Sequence, residues 1–278
     1  MIEAKEGVAL TGARETLARI TYQRFFRRYL RLAGMTGTAT EVAAEIAQTY
    51  GLPVVRVPLH RASRRRTIGA RCFLNRDLKW RAVVAAIERL AVNELRPVLV
   101  GTRTVRASEE LSALLTASGI EHVVLNAKQD REETLTISRA GEAGRVTVAT
   151  NMAGRGTDIA LGEGVVERGG LHVILTEYHE SRRIDRQLFG RSARQGEPGS
   201  GESMVALDDE LFVTHAPRLA RWLTQRFAGG DLIGSIWLAT LRRFAQAAAE
   251  KANQQARMAS VKQDRRYASL LAFTGRGE

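Results

Sequence analysis

Apolar residues along this chain fall into short runs separated by stretches of helical spacing. Cys72-Phe73-Leu74, Val98-Leu99-Val100, Val123-Val124-Leu125, Val146 to Ala149, Leu171 to Leu175 and Ser203 to Leu207 have the length and residue types of strands. Between them, Trp80, Val83, Val84, Ile87 and Leu90 fall on one side of a helix, and Leu111, Leu114 and Leu115 mark another. Thr134 to Ile137 alternates like a strand, yet a right-handed crossover between parallel strands needs a helix there, so a helix is expected. This strand, helix and loop repetition predicts an α/β fold, a parallel sheet with helices on both faces.

The flanks have a different texture. Thr16 to Leu32 is a helix candidate in which Ile20, Tyr22, Phe25, Phe26, Tyr29 and Leu30 make a wide apolar surface, and Pro53 to Arg66 is an extended basic linker. Beyond Leu211 the pattern turns helical. Leu219, Trp222, Leu223 and Phe227 give one amphipathic helix, and Ser235 to Leu271 gives a long alanine-rich one with Trp237, Leu241, Phe244 and Ala248 on a common face. The resulting layout is 1–66, 67–212 and 213–278.

Composition narrows the partners. Forty-two Lys and Arg against thirty Asp and Glu leave a formal charge of +12, which favours nucleotides, nucleic acid or an anionic membrane surface. An aromatic content of 6% disfavours a base-stacking groove for nucleic acid. Cys72 is the single cysteine, which excludes an internal disulfide or a multi-cysteine zinc site and fits a reducing cytosol. The longest apolar run, Leu232 to Leu241, is too short to span a bilayer.

Candidate chemistry concentrates between Arg145 and Gly199. A cationic helix is expected from about Glu180 to Gln195, and Arg183, Gln187, Arg191 and Arg194, spaced by four, four and three residues, would share one face of it. Guanidinium offers phosphate paired donors, although a solvated basic face has the same spacing. Close by stands Gly154-Arg155-Gly156-Thr157-Asp158, where two glycines let an arginine approach a ligand with backbone and side chain, or else make an ordinary tight turn. No G-x-x-x-x-G-K-[ST] occurs in the chain, and the Thr36-Gly37-Thr38 turn lacks the lysine a phosphate loop requires. The acidic run Asp208-Asp209-Glu210 reads as structural, at the start of a helix, and no metal site is expected.

The segments TNMAGRGTDI, GGLHVILTE, HESRRID and QLFGRSARQGEPG, with IEAKEG and LAGMTGTA nearer the start, resemble the SecA family of ATP-driven protein-export motors. The resemblance implies a RecA-like second nucleotide-binding lobe of helicase superfamily 2 type, followed by the start of a helical scaffold. It implies that Arg155, Arg191 and Arg194 act on the phosphates of ATP held by a first lobe. Gly154, Gly156, Thr157, Asp158 and Gln187 would be nucleotide-binding, with Asp158 and Gln187 coupling nucleotide state to lobe closure. Mg2+ would be held by that first lobe, which this chain does not contain, so hydrolysis by the chain alone is not expected. Thr102, Lys128, Arg155 and Glu177, at strand ends, would line the edge where the first lobe docks. The implied partners are that lobe or a full-length SecA-like motor, the export channel and the preprotein, in the cytoplasm and at the inner face of the membrane. The sequence departs from the family pattern at Tyr178 and Phe189, where arginine is usual, and at Ala193, where glycine is usual. Other readings from the same residues are a helicase-like nucleic-acid module and a non-catalytic subunit or remnant associating with a complete motor.

Overall fold

The computed structural model describes residues 21–125, 133–150 and 157–274. The chain forms two compact units, one of Met1–Thr36, Val42–Val54 and Gln255–Glu278, the other of Gly37–Glu41 and Val55–Gln254.

In the first unit, α1 (Tyr22–Phe26) is capped by Thr21 and followed in sequence by α2 (Ala43–Tyr50), which stops at Gly51 in a left-handed conformation. The rings of Tyr22, Phe25, Phe26 and Tyr29 touch one another, with centroids 5.4 to 6.4 Å apart. Arg257 holds Glu45 through two bonds of 2.7 and 3.0 Å. Of the helix expected over Thr16 to Leu32, residues 16–20 lie outside the described residues, and among the described ones helix covers Tyr22–Phe26 and ends before Leu32. Leu32 to Ala39, where the resemblance to the family implies a strand after the first helix, is irregular. A strand needs a neighbouring strand to pair with, and among the described residues none of the seven strands of the sheet takes that stretch as a neighbour.

The second unit is built on seven strands. In chain order these are β1 (Arg64–Phe73), β2 (Val98–Thr102), β3 (Val123–Leu125), β4 (Val146–Thr150), β5 (Leu171–Leu175), β6 (Pro198–Ala206) and β7 (Leu232–Ile233). They lie side by side in the order β3-β4-β2-β5-β6-β1-β7, and every pairing is parallel except the short one between β7 and β1. Two elements differ from the sequence expectation. β1 starts at Arg64, inside the stretch read as linker, and β6 starts at Pro198 and not at Ser203.

The strands sort their side chains by alternation. Cys72, Leu99, Ala149, Leu171, Val173, Leu175 and Val205 belong to one apolar cluster, whereas Phe73, Val98, Val100, Val146, Val148, Ile174 and Met204 belong to another. Burial on both faces is what near-continuous apolar strands require. The helices divide in the same way. α3 (Arg76–Ile87), extended by a π turn Glu88–Asn93, and α4 (Val105–Ala117) cover the second cluster with Trp80, Val83, Ile87, Leu90, Leu111 and Leu115. α5 (Glu133–Ser138) and α6 (Arg182–Phe189) cover the first with Ile137 and Leu188. The reason is the handedness of crossovers: the chain steps across the sheet one way from β1 to β3 and the other way from β3 to β6, so the connecting helices change face. The helix expected at Thr134 to Ile137 is present as α5, and Leu114 of the α4 triplet is the member that faces solvent.

After β6 come α7 (Glu210–His215), α8 (Pro217–Arg226) and the long α9 (Ser235–Thr274). The buried face of α9 is Leu238, Leu241, Ala245 and Ala249, while Phe244 is exposed. It is rotated from the face expected through Phe244 and Ala248, and Gln246, which donates to the His179 carbonyl and to Asp185, is buried with it. No described helix is long and apolar enough to cross a membrane.

One close approach sets the position of α6. A Cβ on Gly101 of β2 would stand 2.2 Å from Leu188, and a Cβ on Gly201 of β6 would stand 2.6 Å from the ring of Phe189. Both strands therefore carry a notch into which the end of α6 settles. Gly201→Ala is expected to lower stability by about 1–3 kcal/mol through overpacking, read as a shift of the urea midpoint at unchanged slope.

Candidate functional site

Ser181 caps α6, accepting from the Arg183 N–H at 3.4 Å, and the helix carries Arg183 and Gln187 on one side and buries Asp185 and Leu188 on another. It then ends. The helix expected over Glu180 to Gln195 is confined to Arg182–Phe189, because Gly190 caps it and Ala193 and Gln195 turn left-handed at φ of 57° and 52°. Arg191 and Arg194 thus leave the face of Arg183 and Gln187 and enter a tight turn.

That turn brings the two arginines together. Nη1 of each lies 3.5 Å from the carbonyl oxygen of Thr157, and Nη1 of Arg194 lies 2.6 Å from Asp158 Oδ1. Arg194 also donates from Nε to the Gly190 carbonyl at 3.0 Å, which fixes the plane of its guanidinium. Gln187 donates to the hydroxyl of buried Thr38 at 3.3 Å, and Arg186 pairs with Glu41. Arg155, Gly154 and Gly156, and likewise Lys128, lie outside the described residues. Of the residues singled out from sequence, the structure therefore joins Arg191, Arg194, Thr157 and Asp158, and places Gln187 on the adjoining helix.

What holds α6 in place has no counterpart among the sequence expectations. The buried carboxylate of Asp185 accepts from the His179 backbone N–H at 2.9 Å, His179 Nδ1 at 2.8 Å, Arg242 Nη2 at 3.1 Å and Gln246 Nε2 at 2.9 Å. Arg242 also stacks its guanidinium over the Tyr178 ring at 4.1 Å. Two donors to Asp185 come from α9, so the long helix grips the element that leads into the arginine turn. Asp185 stands inside HESRRID, and Arg242 and Gln246 are i, i+4 on α9, but nothing in the sequence ties the two segments to each other.

Along the carboxyl ends of the central strands runs a second polar group. Arg103, just after β2, is 3.5 Å from Glu177, 3.2 Å from Glu180 and 3.8 Å from Glu210. Thr102, at the tip of β2, is buried. Lys79 and Asp209 form a buried pair, and Asp209 accepts from the Ala206 N–H at 2.8 Å while preceding the first turn of α7. Asp208 accepts from the Arg76 N–H at 3.1 Å at the start of α3. Of the acidic run, Asp208 thus serves the start of α3 and Glu210 stands in the first turn of α7, while the Asp209 side chain makes no capping bond to α7. Burial raises the Asp209 carboxyl to about 7, with Lys79 pulling it down and Glu177 adding to the rise.

A mostly parallel sheet buried on both faces, with its polar loops gathered beyond the strand ends, defines an α/β domain with a RecA-like sheet. The model of the SecA P-loop domain matches residues 62–164 and 162–228, and that of the SecA DEAD-like domain matches 2–47. A protein translocase subunit SecA 2 of Nitrosospira multiformis is 55% identical over 278 residues, all of this chain and 42% of that protein. A SecA 3 of Magnetococcus marinus is 48% identical over 284 aligned residues, again all of this chain and 42% of its own length. A crystal structure of the E. coli DEAD-box protein SrmB bound to regulator of ribonuclease activity A superposes on 54% of this chain and 82% of its own, at 25% identity and a TM-score of 0.44. The chain belongs to the SecA family, and it spans less than half the length of those SecA relatives.

Two predictions come from this geometry. Ala193 holds a left-handed backbone that costs a residue with a Cβ about 1–2 kcal/mol, so Ala193→Gly is expected to stabilise the fold by about 1 kcal/mol in urea unfolding. Asp209 has a folded pKa above its unfolded value, so its contribution is complete below about pH 4 and is lost as pH rises through about 7. Unfolding free energies measured from pH 4 to 8 are expected to fall for the wild type relative to Asp209→Asn across that window, by at most about 1.4 kcal/mol per pH unit.

Proposed function

We propose that this chain is the second nucleotide-binding lobe of a SecA-type protein-export motor, and that Arg191 and Arg194 face the phosphates of ATP bound by a first lobe. The observation that carries this reading is the convergence of two guanidiniums on the Thr157 carbonyl, with the Asp158 carboxylate against Arg194. The Arg194–Asp158 pair is open to solvent, with side chains 36% and 56% exposed, and pairs of that kind are worth about 0–1 kcal/mol. A phosphate can therefore take the place of the carboxylate at small cost.

In this reading ATP supplies the phosphoryl group, and the chain's own residues orient it and stabilise its charge. Arg191 and Arg194 would spread donors over the phosphoryl oxygens, where charge accumulates as the bond to the leaving group breaks. Arg155, two residues before Thr157 in sequence, would join them. Asp158 would hold Arg194 ready between turnovers. Gln187, bonded to Thr38, would report whether the first lobe is in place. Mg2+ and the phosphate-binding loop belong to that first lobe, supplied either by the remainder of a longer polypeptide or by another chain. The export channel and the preprotein are the partners that go with such a motor, at the inner face of the cytoplasmic membrane.

The test joins this segment to a SecA first lobe and measures steady-state ATP turnover together with binding of a fluorescent ATP analogue. Arg191→Ala and Arg194→Ala are each expected to lower kcat by about 10³-fold or more while analogue binding changes less than about tenfold. Arg194→Lys is expected to recover little, because an ammonium lacks the paired donors. Unchanged turnover in both alanine variants, or ATP hydrolysis by the 278-residue chain alone, would refute the assignment.

A further inference from the structure

β1 has one side unpaired. It pairs with β6 along its whole length, from Arg64 to Phe73, but with β7 only at Cys72 and Phe73. Residues 64–71 all stand exposed, and among the described residues no strand pairs with their outer side. At 3.3 Å per residue this leaves roughly 26 Å of open ladder.

The charge around that edge is one-sided. From Val55 to Arg76 the sequence has seven arginines, at 56, 61, 64, 65, 66, 71 and 76, with His60 and with no aspartate or glutamate. Three of these cations already have partners within the unit, since Arg65 donates to the Phe189 carbonyl at 2.9 Å, Arg71 pairs with Glu202 at 2.9 Å and Arg76 pairs with Glu110 at 3.5 Å. Arg64 and Arg66 are exposed and stand two residues apart, hence on one face of the strand.

We propose that the outer edge of β1 accepts an acidic, extended peptide segment of a partner protein as a further strand. An open ladder presents alternating N–H donors and C=O acceptors, and only another extended backbone satisfies both. Phosphate groups offer acceptors alone, so nucleic acid could neutralise the arginines but would leave the carbonyls unpaired. A second copy of this chain is disfavoured because the same edge would set arginine against arginine, the device by which open edges avoid pairing with themselves. Carboxylates at alternate positions of the incoming strand would lie across from Arg64 and Arg66 as cross-strand pairs. The bulge between Thr67 and Gly69, where Gly69 has a φ of 131°, divides the contact into two short stretches.

The experiment uses the full chain and a labelled ten-residue peptide with glutamate alternating with valine and threonine, read by fluorescence anisotropy. A peptide of the same sequence with alternate backbone nitrogens methylated keeps the charge but loses the ladder donors. The unmodified peptide is expected to bind, and the methylated one to bind at least tenfold more weakly. Arg64→Glu/Arg66→Glu, checked for an unchanged melting curve, is expected to lose at least tenfold as well. Amides of residues 64–71 are expected to gain protection from hydrogen exchange when the peptide is present. Equal binding of the methylated peptide, tighter binding of a decathymidylate, or no binding of the unmodified peptide would each overturn the proposal.

Discussion

The arrangement of this domain depends on how closely α6 can approach the sheet. Leu188 sits where a side chain on Gly101 would be, and Phe189 sits where one on Gly201 would be. If β2 and β6 carried ordinary strand residues at these positions, the end of α6 would stand off by the thickness of a methyl group or more. The turn that follows would be displaced with it, and Arg191 and Arg194 would no longer reach the Thr157 carbonyl. Leaving out two side chains in the sheet thus fixes where two guanidiniums outside it converge.

Packing sets the height of α6, and the polar contacts of Asp185 set its direction. A buried carboxylate with four donors is satisfied, whereas the same carboxylate with one donor removed leaves a costly unmet charge in a dry setting. Arg242 and Gln246 both lie on α9, so any rotation of that helix breaks two of the four bonds together. The aromatic face of Tyr178 beneath Arg242 holds the guanidinium from the other side. α6 therefore moves with α9, or the network is lost.

Much of this fold is legible in the sequence, and the exceptions have physical reasons. Strands buried on both faces announce themselves as continuous apolar runs, which is why β2 to β5 stand where the pattern put them. β1 and β6 extend beyond the expected strands at their amino-terminal ends. There β1 is exposed and arginine-rich, so no apolar period marks it, and β6 begins Pro-Gly-Ser-Gly, the vocabulary of a turn. Those glycines answer to the helix above them and not to a reversal of the chain. The cationic helix is shorter than its spacing predicts for a related reason. Arginine at helical spacing looks continuous, but Gly190 and the left-handed Ala193 interrupt it, and backbone conformation at an alanine leaves no trace in composition. Arg191 and Arg194 nevertheless come together, in the turn and not on the helix face their spacing predicts.

The ion pairs of this molecule divide by their exposure, and that division separates the parts that can move from the parts that cannot. Lys79–Asp209 and the Asp185 network are buried, and separating either leaves a charge without solvent, at a cost of several kcal/mol. Arg194–Asp158 is exposed and worth at most about 1 kcal/mol. A single hydrogen bond to a charged ligand oxygen exceeds that. An anion arriving at the turn can therefore displace Asp158 while α6, α9 and the strand ends keep their contacts. Exchange of partners at an otherwise fixed arginine is what a site needs if it is to respond to a phosphate without unfolding its surroundings.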